Sequence, residues 1–207
     1  MQYRFITIEG NIGSGKTTLA HQLAEQFRAR LVLEEFADNP FLPKFYADPA
    51  QYAFPLELFF MAERYKQLKE MHAGPDLFTS HTVSDYLFIK SLMFAKMNLE
   101  ADEFSLYQKL FDIINPQLPQ PDLLIFLNAP VEQLQSNIRR RGRPYEQQIK
   151  DSYLERVQEM YIQFIRQYPM RTLMVDTTKY DFLRTPADLQ MLLAALDKEY
   201  APGVHYL

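Results

Sequence analysis

The segment from Gly10 to Thr17, GNIGSGKT, constrains the fold more than any other part of the chain. It matches the pattern G-x-x-x-x-G-K-[ST], in which a glycine-rich turn joins a buried strand to the start of a helix. The context agrees, because the apolar run 3–9 precedes the segment and a helical pattern over 16–30 follows it. The pattern predicts a cradle of backbone N–H groups for the phosphates of a nucleoside triphosphate.

The residue types of this loop suit phosphate binding. Its glycines let the backbone turn tightly, Lys16 is expected to reach the β- and γ-phosphates, and the Thr17 hydroxyl is expected to coordinate Mg²⁺. A glycine-rich turn that binds nothing is the alternative, and the agreement of pattern and context disfavours it. The residues of the loop that are predicted to bind ATP are Gly10, Asn11, Ile12, Gly13, Ser14, Gly15, Lys16, Thr17 and Thr18.

Apolar runs alternate with helical patterns along the rest of the chain. Further strands are expected at 31–35, 123–127 and 172–175. Helices are expected at 55–72 (with Pro55 in its first turn), 84–96, 104–114, 131–140, 152–168 and 185–200. This alternation favours an α/β fold of the P-loop type, with a parallel five-stranded sheet and helices on both faces. At 207 residues the chain has the length of one ordinary domain, so residues 1–207 are predicted to form a single domain; the sequence contains no internal repeat.

Composition excludes several classes of protein. The formal net charge is −4 and the isoelectric point is about 5.6, so no surface field favours a nucleic-acid polymer. The absence of cysteine excludes disulfides and thiolate metal sites. No apolar stretch approaches the roughly 18 residues that span a bilayer, and the N-terminus lacks a signal-peptide pattern. We therefore expect a cytoplasmic protein that binds neither nucleic-acid polymers nor membranes.

A P-loop alone does not distinguish a kinase from a GTPase or a motor, but the later segments resemble the deoxyribonucleoside kinase family nearly end to end. The resemblance rests on the order and spacing of EGNIGSGKTT, EEFADNPFLPKFY, YAFPLELFFMAERY, SDYLF, RRRGRPYEQ and VDTTKYDF. It implies transfer of the ATP γ-phosphate to the 5′-hydroxyl of a deoxynucleoside, with Mg²⁺ as the cofactor and a homodimer as the assembly. Asp181 and Phe182, in the last segment, fall where the family closes over the ATP adenine.

Glu34 stands at the end of the second predicted strand, beside the P-loop strand of a parallel sheet. The resemblance implies that this glutamate is the base that takes the proton from the sugar 5′-hydroxyl. Ligands bind at the carboxyl ends of strands in α/β sheets, which favours this role over that of a solvated acid. Glu35, where the family usually has proline, is expected to be only a neighbour.

The resemblance also implies a set of residues that bind the nucleoside. Tyr46 is expected to contact a sugar hydroxyl, and the alternative for this residue is a place in the core. Glu57 and Arg64 are seven positions apart and therefore share one face of a helix. Arg64 is expected to pair with Asp85, either within the substrate site or as a structural salt bridge.

Glu57 bears on the choice of base, because the family normally has at this position a glutamine that reads the base edge. An ionised glutamate only accepts hydrogen bonds, and it complements the adjacent N1–H and N2–H₂ of guanine. The sequence therefore favours a purine deoxynucleoside, with deoxyguanosine before deoxyadenosine.

A dense cationic loop follows the predicted helix 131–140, and we expect it to form a lid over about 139–149. The resemblance implies that Arg141 and Arg143 stabilise the transferring phosphoryl group, that Arg139 helps to bind ATP, and that Glu146 reaches the sugar 3′-hydroxyl. A solvated arginine run at a helix end is the alternative.

One segment departs from the family pattern. Thr79-Ser80-His81 stands where the family usually has an acidic residue, arginine and serine, so both the acid and the arginine are missing at these positions. Loss of one arginine that stabilises a transition state can reduce the rate by orders of magnitude. Two alternatives therefore stay open: a P-loop kinase of another small acceptor, and a nucleotide-binding protein without catalysis.

Overall fold

The apolar residues of the first strand lie in the middle of a parallel six-stranded sheet. A computed structural model describes residues 2–34, 39–73, 80–182 and 184–207, with only the backbone of residues 72 and 73. The strands are β1 (Phe5–Gly10), β2 (Arg30–Val32), β3 (Thr82–Ser84), β4 (Leu123–Asn128), β5 (Arg171–Asp176) and β6 (Gly203–Tyr206). They are hydrogen-bonded in the order β2-β3-β1-β4-β5-β6. Ile6 of β1 lies opposite Val83 on one side and Leu123 on the other.

Helices occupy most of the remaining described residues. They are α1 (Lys16–Phe27), α2 (Leu42–Ala47), α3 (Pro49–Ala73), α4 (Lys90–Asn98), α5 (Ala101–Ile114), α6 (Val131–Arg141), α7 (Asp151–Gln167) and α8 (Pro186–Leu196). None of these helices, over the residues described, is long and apolar enough to cross a membrane.

The described residues form two compact units. The sheet unit contains residues 2–33, 80–86, 121–182 and 184–207, and so holds every strand together with α1, α6, α7 and α8. The helical unit contains residues 34, 39–73 and 87–120, and so holds α2 to α5.

Burial of the strands on both faces stabilises the sheet unit. Ile6, Ile8 and Ile125 are completely buried, and α1 and α8 cover this part of the core with Leu23 and Leu192. Near-continuous apolar runs of this kind are typical of parallel strands that helices cover. Each such side chain contributes roughly 1.5–3 kcal/mol through its removal from water.

Contacts of α3 with α2, α4 and α5 organise the helical unit. Phe45 of α2 packs with Ala53 and Leu56 of α3, and Phe88 stacks on Phe111 of α5 with ring centroids 5.2 Å apart. The packing places the polar residues Glu57 and Arg64 of α3 inside the unit, where both are buried.

The structure confirms the α/β fold with a parallel sheet, but the expectation of five strands is wrong. Thr82, Val83 and Ser84 form β3 between β1 and β2, so the helix expected to begin at Ser84 begins instead at Lys90. The ladder to two neighbouring strands outweighs the helical pattern at Ser84, because β-branched residues suit a buried strand. β6 comes after the closing helix, which ends at Leu196 instead of at 200.

Helix α3 also differs from its predicted bounds. It begins at Pro49, so Pro55 lies inside the helix instead of in its first turn. Proline inside a helix removes one backbone hydrogen bond and crowds the preceding turn. The burial of Ala53, Leu56 and Met61 around Pro55 offsets this local cost.

Candidate functional site

The turn between β1 and α1 is held by the side chain of its own second residue. Asn11 is buried; its Oδ1 accepts from the Ile12 backbone N–H at 2.8 Å, and its Nδ2 donates to the Leu154 carbonyl at 2.7 Å. The Ser14 N–H donates to the Asn11 carbonyl at 3.1 Å, and Lys16 Nζ donates to the same carbonyl at 3.4 Å. Contacts within the protein therefore fix the loop to α7 and curl it around the Asn11 carbonyl.

Gly13 is required by both conformation and space. Its φ is +83°, which side chains rarely adopt, and an added Cβ would lie 2.8 Å from the Leu134 carbonyl oxygen and 3.1 Å from Ile138 Cγ1. The Gly13 carbonyl in turn accepts from Asn137 Nδ2 at 2.8 Å. Helix α6 therefore packs directly against the backbone of the loop.

The loop opens into a cavity of about 670 Å³ with a strongly cationic lining. Four arginines contribute to it: Arg140, Arg141, Arg143 and Arg184. The lining that was predicted to bind ATP consists of Gly13, Ser14, Gly15, Lys16, Thr17, Thr18, Asp181 and Phe182. The predicted residues outside the described lining are Gly10, Asn11, Ile12 and Arg139, and the Arg139 side chain is exposed.

The chemistry of this cavity fits a polyphosphate. The buried Ser14 Oγ has no hydrogen-bond partner among the described residues, so it can serve a ligand. The N-terminus of α1 begins at Lys16 and adds its partial positive charge to the lysine and the arginines.

Two aromatic rings of the cavity lining suit a flat base. Tyr180 and Phe182 stack with ring centroids 6.2 Å apart and planes inclined by 3°. Gln22 of α1 donates from Nε2 to the Phe182 carbonyl at 2.9 Å, which anchors this loop to α1.

Asp85 contributes a carboxylate beside the phosphate loop. It directly follows β3, it is buried, and its Oδ2 accepts a 2.5 Å hydrogen bond from the Thr17 hydroxyl. The expected pairing of Asp85 with Arg64, either within the substrate site or as a structural salt bridge, stays a prediction. An acid therefore does stand beside the phosphate loop, six residues after Thr79, which lies outside the described residues.

Two arginines of the segment predicted to form a lid converge on one buried carboxylate. Arg141 donates through Nε and a terminal nitrogen to Glu146 Oε2, the Nε bond being 3.0 Å long. Arg143 donates to Glu146 Oε1 at 3.2 Å. Glu146 thus neutralises part of the lid charge in this structure, and its predicted contact with a sugar hydroxyl stays a prediction.

A second cluster of charges lies in the helical unit around Glu34, which follows β2 by two residues in the chain. Arg64 donates to Glu34 Oε1 from Nε at 2.9 Å and from a terminal nitrogen at 2.5 Å. Lys90 Nζ donates to Glu34 Oε2 at 2.9 Å, and Arg64 also donates to Ser91 Oγ at 2.7 Å. Burial is the largest single effect and lowers the pKa of Arg64, but the charge and hydrogen bond of Glu34, together with Tyr107 and Glu57, outweigh it, so the pKa of Arg64 is raised.

Glu57 lies deeper in the same unit. Asn98 Nδ2 donates to Glu57 Oε1 at 2.8 Å, and the Tyr107 hydroxyl donates to the Glu57 backbone carbonyl at 3.1 Å. Burial raises the pKa of Glu57 to about 7, against the Asn98 hydrogen bond and the charge of Arg64, which lower it. This carboxyl group therefore changes its charge in the physiological pH range.

Tyr46 is partly buried. Its ring packs edge-on against Phe45 with centroids 5.6 Å apart, at the border of the apolar cluster of α2 and α3. The predicted contact of its hydroxyl with a sugar stays a prediction.

The sequence analysis missed several polar residues of both units. Asn137 contacts the phosphate loop, Asn98 contacts Glu57 and Lys90 contacts Glu34. A buried lysine usually has a specific partner, but only the tertiary structure shows that Lys90 is buried.

Comparisons with known proteins establish the family of this chain. The family model for deoxynucleoside kinase matches residues 6–200, and the chain belongs to this family of phosphotransferases. The chain is 35% identical over 195 residues to deoxyguanosine kinase from Bacillus subtilis (strain 168), covering 92% of this chain and 94% of that protein. It is 34% identical over 164 residues to deoxyadenosine/deoxycytidine kinase from the same organism, covering 77% and 76%.

Solved structures share the fold. Deoxyadenosine kinase from M. mycoides with bound dATP superposes with a TM-score of 0.80 at 21% identity, over 94% of this chain and 100% of that chain. The structure of the same protein with the products dCMP and dCDP has a TM-score of 0.81 at 22% identity and covers 93% and 98%. The family expected from the sequence is confirmed.

The contact between Gly13 and α6 gives a test of the loop geometry. Gly13→Ala is expected to weaken ATP binding at least about tenfold, because the new Cβ forces the loop away from Leu134. The matched control is Gly142→Ala, where φ is +71° but an added Cβ meets nothing within 4 Å. Calorimetric titration with ATP measures both, and equal affinities of the two variants would contradict this account of the loop.

Proposed function

We propose that this chain transfers the γ-phosphate of ATP to the 5′-hydroxyl of a purine deoxynucleoside. The observation that carries the proposal is the cationic cavity in which the P-loop amides, Lys16 and the lid arginines converge. Family membership supplies the reaction class, and the candidate base Glu34 supplies the group that such a transfer requires.

In the proposed reaction, Glu34 accepts the 5′-hydroxyl proton while the hydroxyl oxygen forms a bond to the γ-phosphorus. The bond between this phosphorus and the bridging oxygen breaks, and ADP leaves. Lys16, Arg141 and Arg143 stabilise the charge that spreads over the phosphoryl oxygens. The lid arginines would exchange their bonds to Glu146 for bonds to phosphate, which leaves Glu146 able to contact the sugar.

Thr17 and Asp85 are proposed to hold the Mg²⁺ that accompanies ATP. A hydroxyl and a carboxylate oxygen, already within 2.5 Å of each other beside the loop, are the hard ligands that Mg²⁺ accepts when phosphates complete its shell. The ion would neutralise charge on the β- and γ-phosphates. Asp85 would then supply the acid that is absent from positions 79–81.

Glu57 supports a preference for guanine. Oε1 accepts from Asn98, which fixes the orientation of the carboxylate, and an ionised carboxylate can accept two donors from a guanine edge. Deoxyguanosine kinase from Bacillus subtilis is one of the relatives, and a deoxyadenosine/deoxycytidine kinase is another. We therefore place deoxyguanosine first and deoxyadenosine second.

Self-association is proposed through α5. Leu106, Leu110 and Ile113 recur on one side of this helix and are exposed in the isolated chain. They support the homodimer that the resemblance implies, and sedimentation velocity of the purified protein measures its mass directly.

Asp85→Asn tests the metal assignment. Affinity for ATP is expected to fall by about 10–100-fold in the presence of Mg²⁺, because the variant keeps the shape of the side chain but loses its charge. Affinity measured with excess chelator is expected to stay within about twofold of the parent protein. A variant that loses affinity equally with and without Mg²⁺ would assign Asp85 to loop structure instead.

The choice of base is tested by phosphoryl transfer from labelled ATP to a panel of nucleosides and other small hydroxyl acceptors between pH 6 and 8. Glu57 is protonated below its pKa of about 7 and ionised above it. The preference for deoxyguanosine over deoxyadenosine, as the ratio of kcat/KM values, should therefore rise with pH through this range.

Glu57→Gln should abolish this pH dependence and reduce the deoxyguanosine preference by about 10-fold or more, since one acceptor becomes a donor. Glu70→Gln, at an exposed position of the same helix, is the matched control. A preference for deoxyguanosine that survives Glu57→Gln would refute the role of Glu57, and transfer to none of the nucleosides would refute the proposed function.

A further inference from the structure

Lys90 is a buried cation for which the sequence analysis gave no role. It is the first residue of α4, only 6% exposed, and its side chain extends within the helical unit instead of into solvent. Burial of a lysine is unfavourable unless its charge is compensated, so a buried lysine usually has a specific partner.

The partner is the candidate base. Lys90 Nζ lies 2.9 Å from Glu34 Oε2, while Arg64 engages the other oxygen, Oε1. Each cation therefore engages one oxygen of the carboxylate, and together they also balance the charge of Glu57 when that group is ionised. The two oxygens are held by different helices, α4 and α3, which fixes both the position and the plane of the carboxylate.

The first turn of α4 organises both halves of this arrangement. Lys90 contacts Glu34, and the next residue, Ser91, accepts from Arg64 at 2.7 Å. The Lys90 N–H is itself bonded to the Leu87 carbonyl at 3.0 Å, so the turn that carries the lysine is well defined. Two consecutive residues thus orient the base and its arginine.

We propose that Lys90 is a positioning residue for Glu34, which keeps this carboxylate ionised and oriented to accept the hydroxyl proton. The inference rests on the proposed function.

Several groups around Glu34 carry or change charge and must be controlled in a test. Arg64 and Glu57 come from α3, Lys90 from α4, and Tyr107 from α5. Glu57 changes its ionisation near pH 7, so its titration would overlap with that of any neighbour. Pairing each Lys90 variant with Glu57→Gln removes this overlap.

The experiment measures kcat and KM for ATP from pH 5 to 8.5 in Lys90→Met and Lys90→Arg, each with and without Glu57→Gln. Without the lysine, Glu34 is protonated more readily, so the acid limb of the kcat profile should move to higher pH. We expect kcat at pH 6 to fall about tenfold or more in Lys90→Met, and by a smaller factor at pH 8. KM for ATP should stay within about twofold, and Lys90→Arg should restore most of the profile.

Lys96→Met is the matched control, since this lysine is exposed on the same helix. A purely structural lysine would lower the melting temperature of Lys90→Met and leave the acid limb unchanged, and this result would overturn the proposal. An equal loss of kcat at pH 6 and pH 8 would also overturn it. If the unmodified protein phosphorylates no deoxynucleoside, the proposed function is refuted. This result is distinct from those that overturn only the role of Lys90.

Discussion

The close approach of α6 to the backbone at Gly13 is the constraint on which the phosphate site depends. The glycine brings its own carbonyl to Asn137 and leaves no space for a side chain against Leu134. Because this contact sets the path of the loop, it also sets the direction of the following amides and the start of α1 at Lys16. The cationic cavity is thus a consequence of tight packing between a strand end and a neighbouring helix.

Local features of the sequence were sufficient to predict this junction. A strand, a glycine-rich turn and a helix follow one another within 27 residues, and each has its own pattern. β3 could not be predicted as well, because three residues between two other strands owe their conformation to pairing partners far away in the chain. Asp85 directly follows that strand, so its hydrogen bond to Thr17 could not be predicted either.

The helical unit keeps several charged side chains in its interior. A buried or nearly buried group of charges is formed by Glu34, Glu57, Arg64 and Lys90. Hydrophobic side chains at these positions would stabilise the folded protein more than the charges do. Because its pKa is raised, ionisation of Glu57 lowers the free energy of unfolding by on the order of 3 kcal/mol. This loss of stability grows as the pH rises from about 4.5 to 7. The family pattern indicated where Glu57 and Arg64 lie, but their charge partners Asn98 and Lys90 came only from tertiary packing.

The claim that Glu34 is the base of a phosphoryl transfer is tested most directly by single-turnover kinetics. Labelled ATP, Mg²⁺ and deoxyguanosine are mixed with excess enzyme, and the parent protein is compared with Glu34→Gln. We expect the rate of the chemical step to fall about 10²–10⁴-fold in the variant, while its affinity for ATP stays within about twofold. A Glu34→Gln variant that transfers phosphate at the parent rate would contradict the account.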